Sequence, residues 1–268
     1  NNGLAFVAKE EGTGEVINGP ELGPSYMWFS VEYYDAKINM TQYNWETKKE
    51  IKFDYYYDNI QGQQIEIGQA PGETVTNNNA STYSIVPGGS LDNANSMIYP
   101  YSAVIQLVGE PVLNSQGKRE YPIYGSGYVI GPHTIMTAAH CLIDKGKWLD
   151  SIRIYYKSNG NYETASYSYV KTATCATSYI EGLAEYDWAI LKVDENIGNE
   201  TGWLGFGITN NSLKGKELTV SGYTLYEETN DTAYVLHKDE GVVVSEDEYF
   251  IRYNASTLPG ESGGVAFD

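Results

Sequence analysis

Three stretches of this chain carry residue types that complement one another chemically. His140 follows the apolar run Tyr128 to Met136, Asp187 opens the apolar run Trp188 to Leu191, and Ser262 lies in Pro259-Gly260-Glu261-Ser262-Gly263-Gly264. A serine hydroxyl is a weak nucleophile until a neighbouring base takes its proton. Histidine is the side chain that changes charge near neutral pH, and only His133, His140 and His237 are available for that work. A carboxylate at the buried start of a strand needs a specific partner. An imidazole N–H would satisfy it and fix the tautomer whose other nitrogen accepts the serine proton. Together these are the parts of nucleophilic acyl transfer.

Singly, each residue has an ordinary reading: a packed histidine, an Asp bonded to a turn, a Gly-Ser-Gly bend. The glycines around Ser262 add to the chemical reading, because they permit unusual backbone angles and close approach of a substrate. In such a loop the N–H groups of Gly260 and Ser262 converge on one point and form an oxyanion hole. His133, beside Pro132, and His237, in Val235-Leu236-His237-Lys238, read as structural or solvated.

The elements that must position these residues are short strands. Ser102 to Val108, Tyr128 to Met136, Ser151 to Tyr156, Tyr167 to Val170, Trp188 to Val193, Lys216 to Tyr223, Gly241 to Val244 and Tyr249 to Tyr253 are separated by Gly, Asn, Asp and Pro turns. That spacing predicts an all-β barrel or sandwich with no long helix. Residues 1–84 differ. Their strand-like runs Tyr26 to Tyr34, Glu50 to Tyr57 and Gln64 to Ile67 predict a small β-rich segment, read as a propeptide, a binding module or an extra sheet. The polar stretch 70–81 is the best linker. The expected division is 1–84, then 85–200 with His140 and Asp187, then 201–268 with Ser262.

Composition narrows the class. The 268 residues carry a formal net charge of −18, with Tyr (25) far ahead of Phe (6) and Trp (5). Such acidity repels a phosphate backbone or an anionic membrane, so neither nucleic acid nor membrane is an expected partner. No run of roughly 18 apolar residues suggests a spanning helix. Cys141 and Cys175 are too few for a disulfide framework and have no metal-ligand spacing; one bridge or two free thiols both remain open. No cofactor or metal is expected, although acidic loops could hold Ca²⁺ weakly. The chain begins at Asn rather than Met, which suggests that a signal peptide or other leader is absent from this sequence; a secreted or cell-surface location is expected from its other features.

At this point a resemblance becomes specific. Thr137-Ala138-Ala139-His140-Cys141, Tyr186-Asp187-Trp188-Ala189-Ile190-Leu191-Lys192 and Gly260-Glu261-Ser262-Gly263-Gly264 resemble, in order, the three signatures of chymotrypsin-like serine proteases. Tyr99-Pro100-Tyr101-Ser102-Ala103-Val104, Gly198-Asn199-Glu200-Thr201-Gly202-Trp203-Leu204-Gly205 and Tyr253-Asn254-Ala255-Ser256-Thr257 are similar to the bacterial glutamyl endopeptidase branch. The resemblance covers about residues 85–268. It implies a double antiparallel β-barrel acting on protein or peptide substrates. Ser262 is the implied nucleophile, His140 the base, Asp187 its orienting partner, and Thr257 the hydroxyl that helps hold an acidic P1 side chain.

The resemblance also implies departures. The chain runs only six residues past Ser262, so the second barrel is expected to be incomplete, with a second chain or a C-terminal fragment completing it. Ile85-Val86-Pro87-Gly88-Gly89 resembles a mature start, which would make the chain with residues 1–84 a zymogen or processed form. The wider family pairs the cysteine after the histidine with one in the preceding strand, where Gly125-Ser126-Gly127 supplies a serine. Two alternatives stand beside this reading: a non-catalytic, protease-like surface or binding protein, and a protease of trypsin-like specificity.

Overall fold

The computed structural model describes residues 7–8, 26–29, 37–56, 92–118, 120–158, 165–208, 212–225, 234–247 and 250–267. The principal strands are β1 (Lys37–Asn44), β2 (Lys49–Tyr56), β3 (Val104–Glu110), β4 (Ile123–Gly131), β5 (Thr134–Thr137), β6 (Ser151–Tyr156), β7 (Ser166–Ala176) and β8 (Ala189–Val193). They are followed by β9 (Glu217–Leu225), β10 (Tyr234–Glu246), β11 (Ile251–Tyr253) and β12 (Val265–Phe267). The expected all-β class holds.

Strands β3 to β8 close an antiparallel barrel in the order β6-β3-β4-β5-β8-β7, because β6 pairs with β3 on one side and β7 on the other. Closure leaves no edge within those six strands. Ile105, Leu107, Ile135, Ile152, Ile154 and Leu191 fill the interior. Only the last of the seven residues of β3 escapes full burial, so this strand is covered on both faces, with the polar Gln106 buried among apolar neighbours.

The C-terminal strands form a second antiparallel sheet in the order β11-β10-β9-β12. Among the described residues this sheet does not close on itself, as expected. Tyr223, Leu236, Val265 and Phe267 pack into the core shared with the barrel, while Leu213, Leu218, Val220, Val243 and Ile251 form a smaller cluster of their own. The sequence reading placed a strand only at 241–244 here; β10 instead runs unbroken from Tyr234 to Glu246, paired with β9 along nine residues.

The N-terminal part differs from its expectation in one respect. Tyr26–Phe29 is a strand, beside Gly205–Ile208, and Glu50 lies in β2; the run Gln64 to Ile67 falls outside the described residues. However, β1 had no place in the sequence reading. It pairs with β2 on one side and with Thr172 to Ala176 of β7 on the other, so the hairpin continues the barrel sheet. The long strand β7 makes this possible, since it pairs with β6 through residues 166–169 and leaves 172–176 for β1.

Candidate active site

His140 sits in a single 3₁₀ turn, Ala139–Cys141, directly after β5. The turn lifts the imidazole out at the barrel rim while Ala139 and Cys141 on either side are buried. Asp187 lies between the short 3₁₀ turn Ala184–Tyr186 and β8. Because β8 pairs with β5 (Ala189 with Thr137), the two turns meet at the same end of the barrel.

Asp187 holds His140 at two points. The backbone N–H of His140 donates to Oδ1 at 2.8 Å and the ring Nδ1–H donates to Oδ2 at 2.6 Å. A carboxylate in that position favours the charged ring, and the Cys141 thiol adds to it, while burial opposes; the His140 pKa is pushed up to about 10. With Nδ1 committed to Asp187, Nε2 is the nitrogen free to exchange a proton. The Asp187 side chain is 17% exposed against 45% for His140, so the carboxylate is shielded while the imidazole faces outward.

Ser262 comes from the other sheet, in the loop between β11 and β12, and is exposed. Its carbonyl accepts the Ser126 N–H at 2.7 Å and the Cys141 thiol at 3.4 Å. The loop is thereby tied to the residue that follows His140. Among the described residues no hydrogen bond joins the Ser262 hydroxyl to the imidazole. Such bonds commonly tighten only when substrate is bound.

Gly260 and Gly263 have φ of +101° and +79°, the left-handed region that suits glycine. A Cβ at Gly263 would collide with Thr137 Oγ1 and the Ser126 carbonyl, and one at Gly260 would lie 2.8 Å from the Tyr223 carbonyl. Ser126 fixes this loop from the barrel side. Its hydroxyl donates to the Gly260 carbonyl at 2.9 Å and accepts the Tyr223 N–H at 2.7 Å, and Thr137 Oγ1 donates to the Ser126 carbonyl at 2.6 Å. Both carbonyls that flank Glu261 in the chain are thus bound to Ser126. Among the described residues the Gly260 and Ser262 N–H groups donate to no protein acceptor.

Thr257 is half-buried in the approach to this loop, and carboxylates hold the backbone N–H groups of the residues on either side of it. The Ser256 N–H donates to Asp239 Oδ2 at 2.6 Å, and the Leu258 N–H donates to Glu261 Oε2 at 2.9 Å. Glu261 is buried, and loss of hydration, with Asp239 adding repulsion, moves its pKa up to about 7. Ser126, Asp239 and Glu261 were not among the expected site residues. Ser126 had a visible signal, a serine between glycines in a strand; Asp239 had none.

The cysteines are both free and buried. The position facing Cys141 is Gly125, not Ser126 as the sequence reading had it: a Cβ there would lie 2.6 Å from Cys141 Sγ and 3.2 Å from its Cβ. Strand alternation explains the correction, since the residue after Gly125 points to the opposite face, toward Gly260 and Tyr223. His133 Nδ1–H donates to the Glu195 carbonyl at 3.0 Å, and His237 is buried in β10, where loss of hydration lowers its pKa. Neither joins His140. Among the described residues no three His, Cys, Asp or Glu side chains converge to hold a metal ion.

Residues 125–268 match the trypsin-like peptidase domain, over more than half of the chain. The chain belongs to that family and has the chymotrypsin-like serine protease fold. A glutamyl endopeptidase of Bacillus licheniformis is 28% identical over 178 residues, which cover 65% of this chain and 51% of that protein. An extracellular metalloprotease of Bacillus subtilis is 26% identical over 178 residues, covering 63% and 52%. The chain therefore spans about half the length of the curated relatives it matches. In fold, this trypsin-like domain superposes on a Glu endopeptidase structure with a TM-score of 0.53 at 21% identity, covering 68% of this chain and 81% of the other. A protease from Arthrobacter nicotinovorans gives 0.51 at 16% identity, covering 66% and 80%.

Proposed function

We propose that this trypsin-like domain is a secreted serine endopeptidase in which Ser262 is the nucleophile, His140 the general base and then acid, and Asp187 the orienting carboxylate. The observation that carries the reading is the two-point hold of Asp187 on His140, with the Ser262 loop tied to the adjacent Cys141. In the first half-reaction the Ser262 hydroxyl attacks the scissile carbonyl as its proton passes to His140 Nε2. The imidazolium is stabilised by Asp187 and returns the proton to the leaving amine. Water then repeats the sequence on the acyl-enzyme. The Gly260 and Ser262 N–H groups donate to the oxyanion of each tetrahedral intermediate, where one such donor contributes roughly a hundred- to a thousandfold in rate.

Preference for Glu, and then Asp, at P1 is supported by the Thr257 hydroxyl on the loop before the nucleophile and by similarity to a glutamyl endopeptidase. A basic P1 residue is the second reading, favoured by the Asp239 carboxylate, which holds the Ser256 N–H next to Thr257. Residues 1–84 act as a processing segment, cut in the polar stretch before Ile85, so that the uncut chain is the less active form. A C-terminal segment or second chain completes the open sheet.

A peptide library cleaved by the chain, before and after cutting within 70–84, tests all of this. Cleavage after Glu or Asp, faster after cutting and absent in Ser262→Ala, is the expected result. Cleavage after Lys or Arg would move the assignment to trypsin-like specificity. No cleavage in either form would favour a binding protein.

A further inference from the structure

We infer that the hairpin β1-β2 is a resident part of the catalytic barrel, retained after the chain is cut, and that it positions Asp187 through Thr41. The inference deepens the proposed function and rests on Asp187 being the partner of His140. The N-terminal fragment made by a cut within 70–84 then carries the hairpin and stays seated on the barrel through it.

The hairpin is bound as a core element is. Five register pairs join β1 to β7, and the Trp45 N–H donates to the Lys171 carbonyl at 2.9 Å. Met40, Thr41 and Trp45 are buried. Trp45 Nε1–H donates to the Leu149 carbonyl at 2.9 Å, and its ring meets Tyr43 and Trp148 edge-on at 5.1 and 5.9 Å. Trp148 stacks on Tyr43 at 5.4 Å and donates to Glu50 Oε2 at 2.8 Å. At the turn, Lys48 Nζ donates to the Asp150 carbonyl at 2.7 Å. Loss of the hairpin would expose the edge of β7 at residues 172–176, which keep only their pairing with β8, and would uncover this aromatic cluster.

The link to the site runs through one buried bond. Thr41 Oγ1 and Thr177 Oγ1 are 2.7 Å apart, and Gln42 Nε2–H donates to Thr174 Oγ1 at 3.0 Å. Thr177 begins the segment that leads through Thr177–Ile180 and Ala184–Tyr186 to Asp187. Thr41 also lies in register with Cys175, which pairs across β7 with Ala189, two residues after Asp187. The titratable groups gathered around Asp187 are His140, Cys141, Cys175 and Tyr179. Of the hairpin's charges Glu50 reaches this group, through Cys175, whereas Thr41 is uncharged and acts on Asp187 by placing the segment.

The test has two arms, neither of which needs hydrolysis, so its failure is distinguishable from absence of protease activity. In the full chain, a cleavage site for an added protease is placed within 70–81 and cut, and the product is run on a native sizing column. Co-elution of the N-terminal and barrel fragments, separable only in denaturant, is expected; an N-terminal fragment eluting alone would overturn the inference. In the second arm the His140 ring is titrated by NMR. Thr41→Val should lower its midpoint by roughly one unit, with Thr41→Ser restoring it. The double variant Thr41→Val, Thr177→Val removes both hydroxyls without leaving either unpaired, so it preserves folding and should show the same drop. An unchanged midpoint in the folded double variant would overturn the positioning role.

Discussion

The two sides of the candidate site are held in different ways. His140 and Asp187 sit on turns at the end of a closed barrel, joined directly to each other by two hydrogen bonds. Ser262 sits on a loop of an open sheet, and its shape is set largely from across the interface, by Ser126 and Thr137 of that same barrel. His140 is therefore preorganised within one body, whereas Ser262 borrows its order from the other. Loss of a barrel residue should be felt at the Ser262 loop even where it touches neither reacting atom.

Breaking the barrel side should have the largest effect. Asp187→Asn removes the main cause of the raised His140 pKa and favours the wrong tautomer, so kcat should fall by about four orders of magnitude. The acid limb offers a sharper reading of the same change. His140 accepts a proton only when neutral, so in the parent the rate should climb with pH toward a midpoint near 10, and in Asp187→Asn that midpoint should move down toward 6.5. A pH series of kcat/KM measures both.

The loop side should break next. Gly263→Ala places a Cβ against Thr137 and Ser126 and forces the loop out of its left-handed turn. A loss of kcat of roughly a hundred- to a thousandfold is expected, the size of a lost oxyanion donor, with His140 still titrating as in the parent. Ser126→Ala leaves the Gly260 carbonyl and the Tyr223 N–H without their partner. It should cost about 1–3 kcal/mol in denaturant unfolding and lower kcat more than it raises KM.

The smallest effect on catalysis is expected at the buried carboxyl, whose change is read in stability. Glu261 has a folded pKa of about 7 against an ordinary 4.5, so the fold prefers its protonated form and stability falls as pH rises through that window. Glu261→Gln should remove this slope, which amounts to at most roughly 3 kcal/mol between the two ends. Unfolding midpoints at pH 4, 6 and 8 would show it.

What sequence reveals here follows the length scale of each feature. His140, Asp187 and Ser262 each stand in a short local context, an apolar run ending in a turn or glycines around a serine, and such contexts are readable residue by residue. The arrangement around them is not. Ser126 reaches Gly260 across 134 positions and Thr41 reaches Thr177 across 136, and no local pattern marks either pairing. Strand β1 alternates from Lys37 to Asn44 but carries polar residues on both faces, so its burial against β7 depends on a partner far along the chain. The assignment of Ser126 opposite Cys141 failed by a single residue, which in a strand is a change of face.

The most direct measurement is mass mapping of a fluorophosphonate adduct, on the chain both uncut and cut within 70–84. A single adduct on Ser262, faster to form in the cut chain and absent in His140→Ala, is the expected result. No adduct in either form, or an adduct on another residue that persists in Ser262→Ala, would contradict the assignment of His140, Asp187 and Ser262 as one catalytic unit.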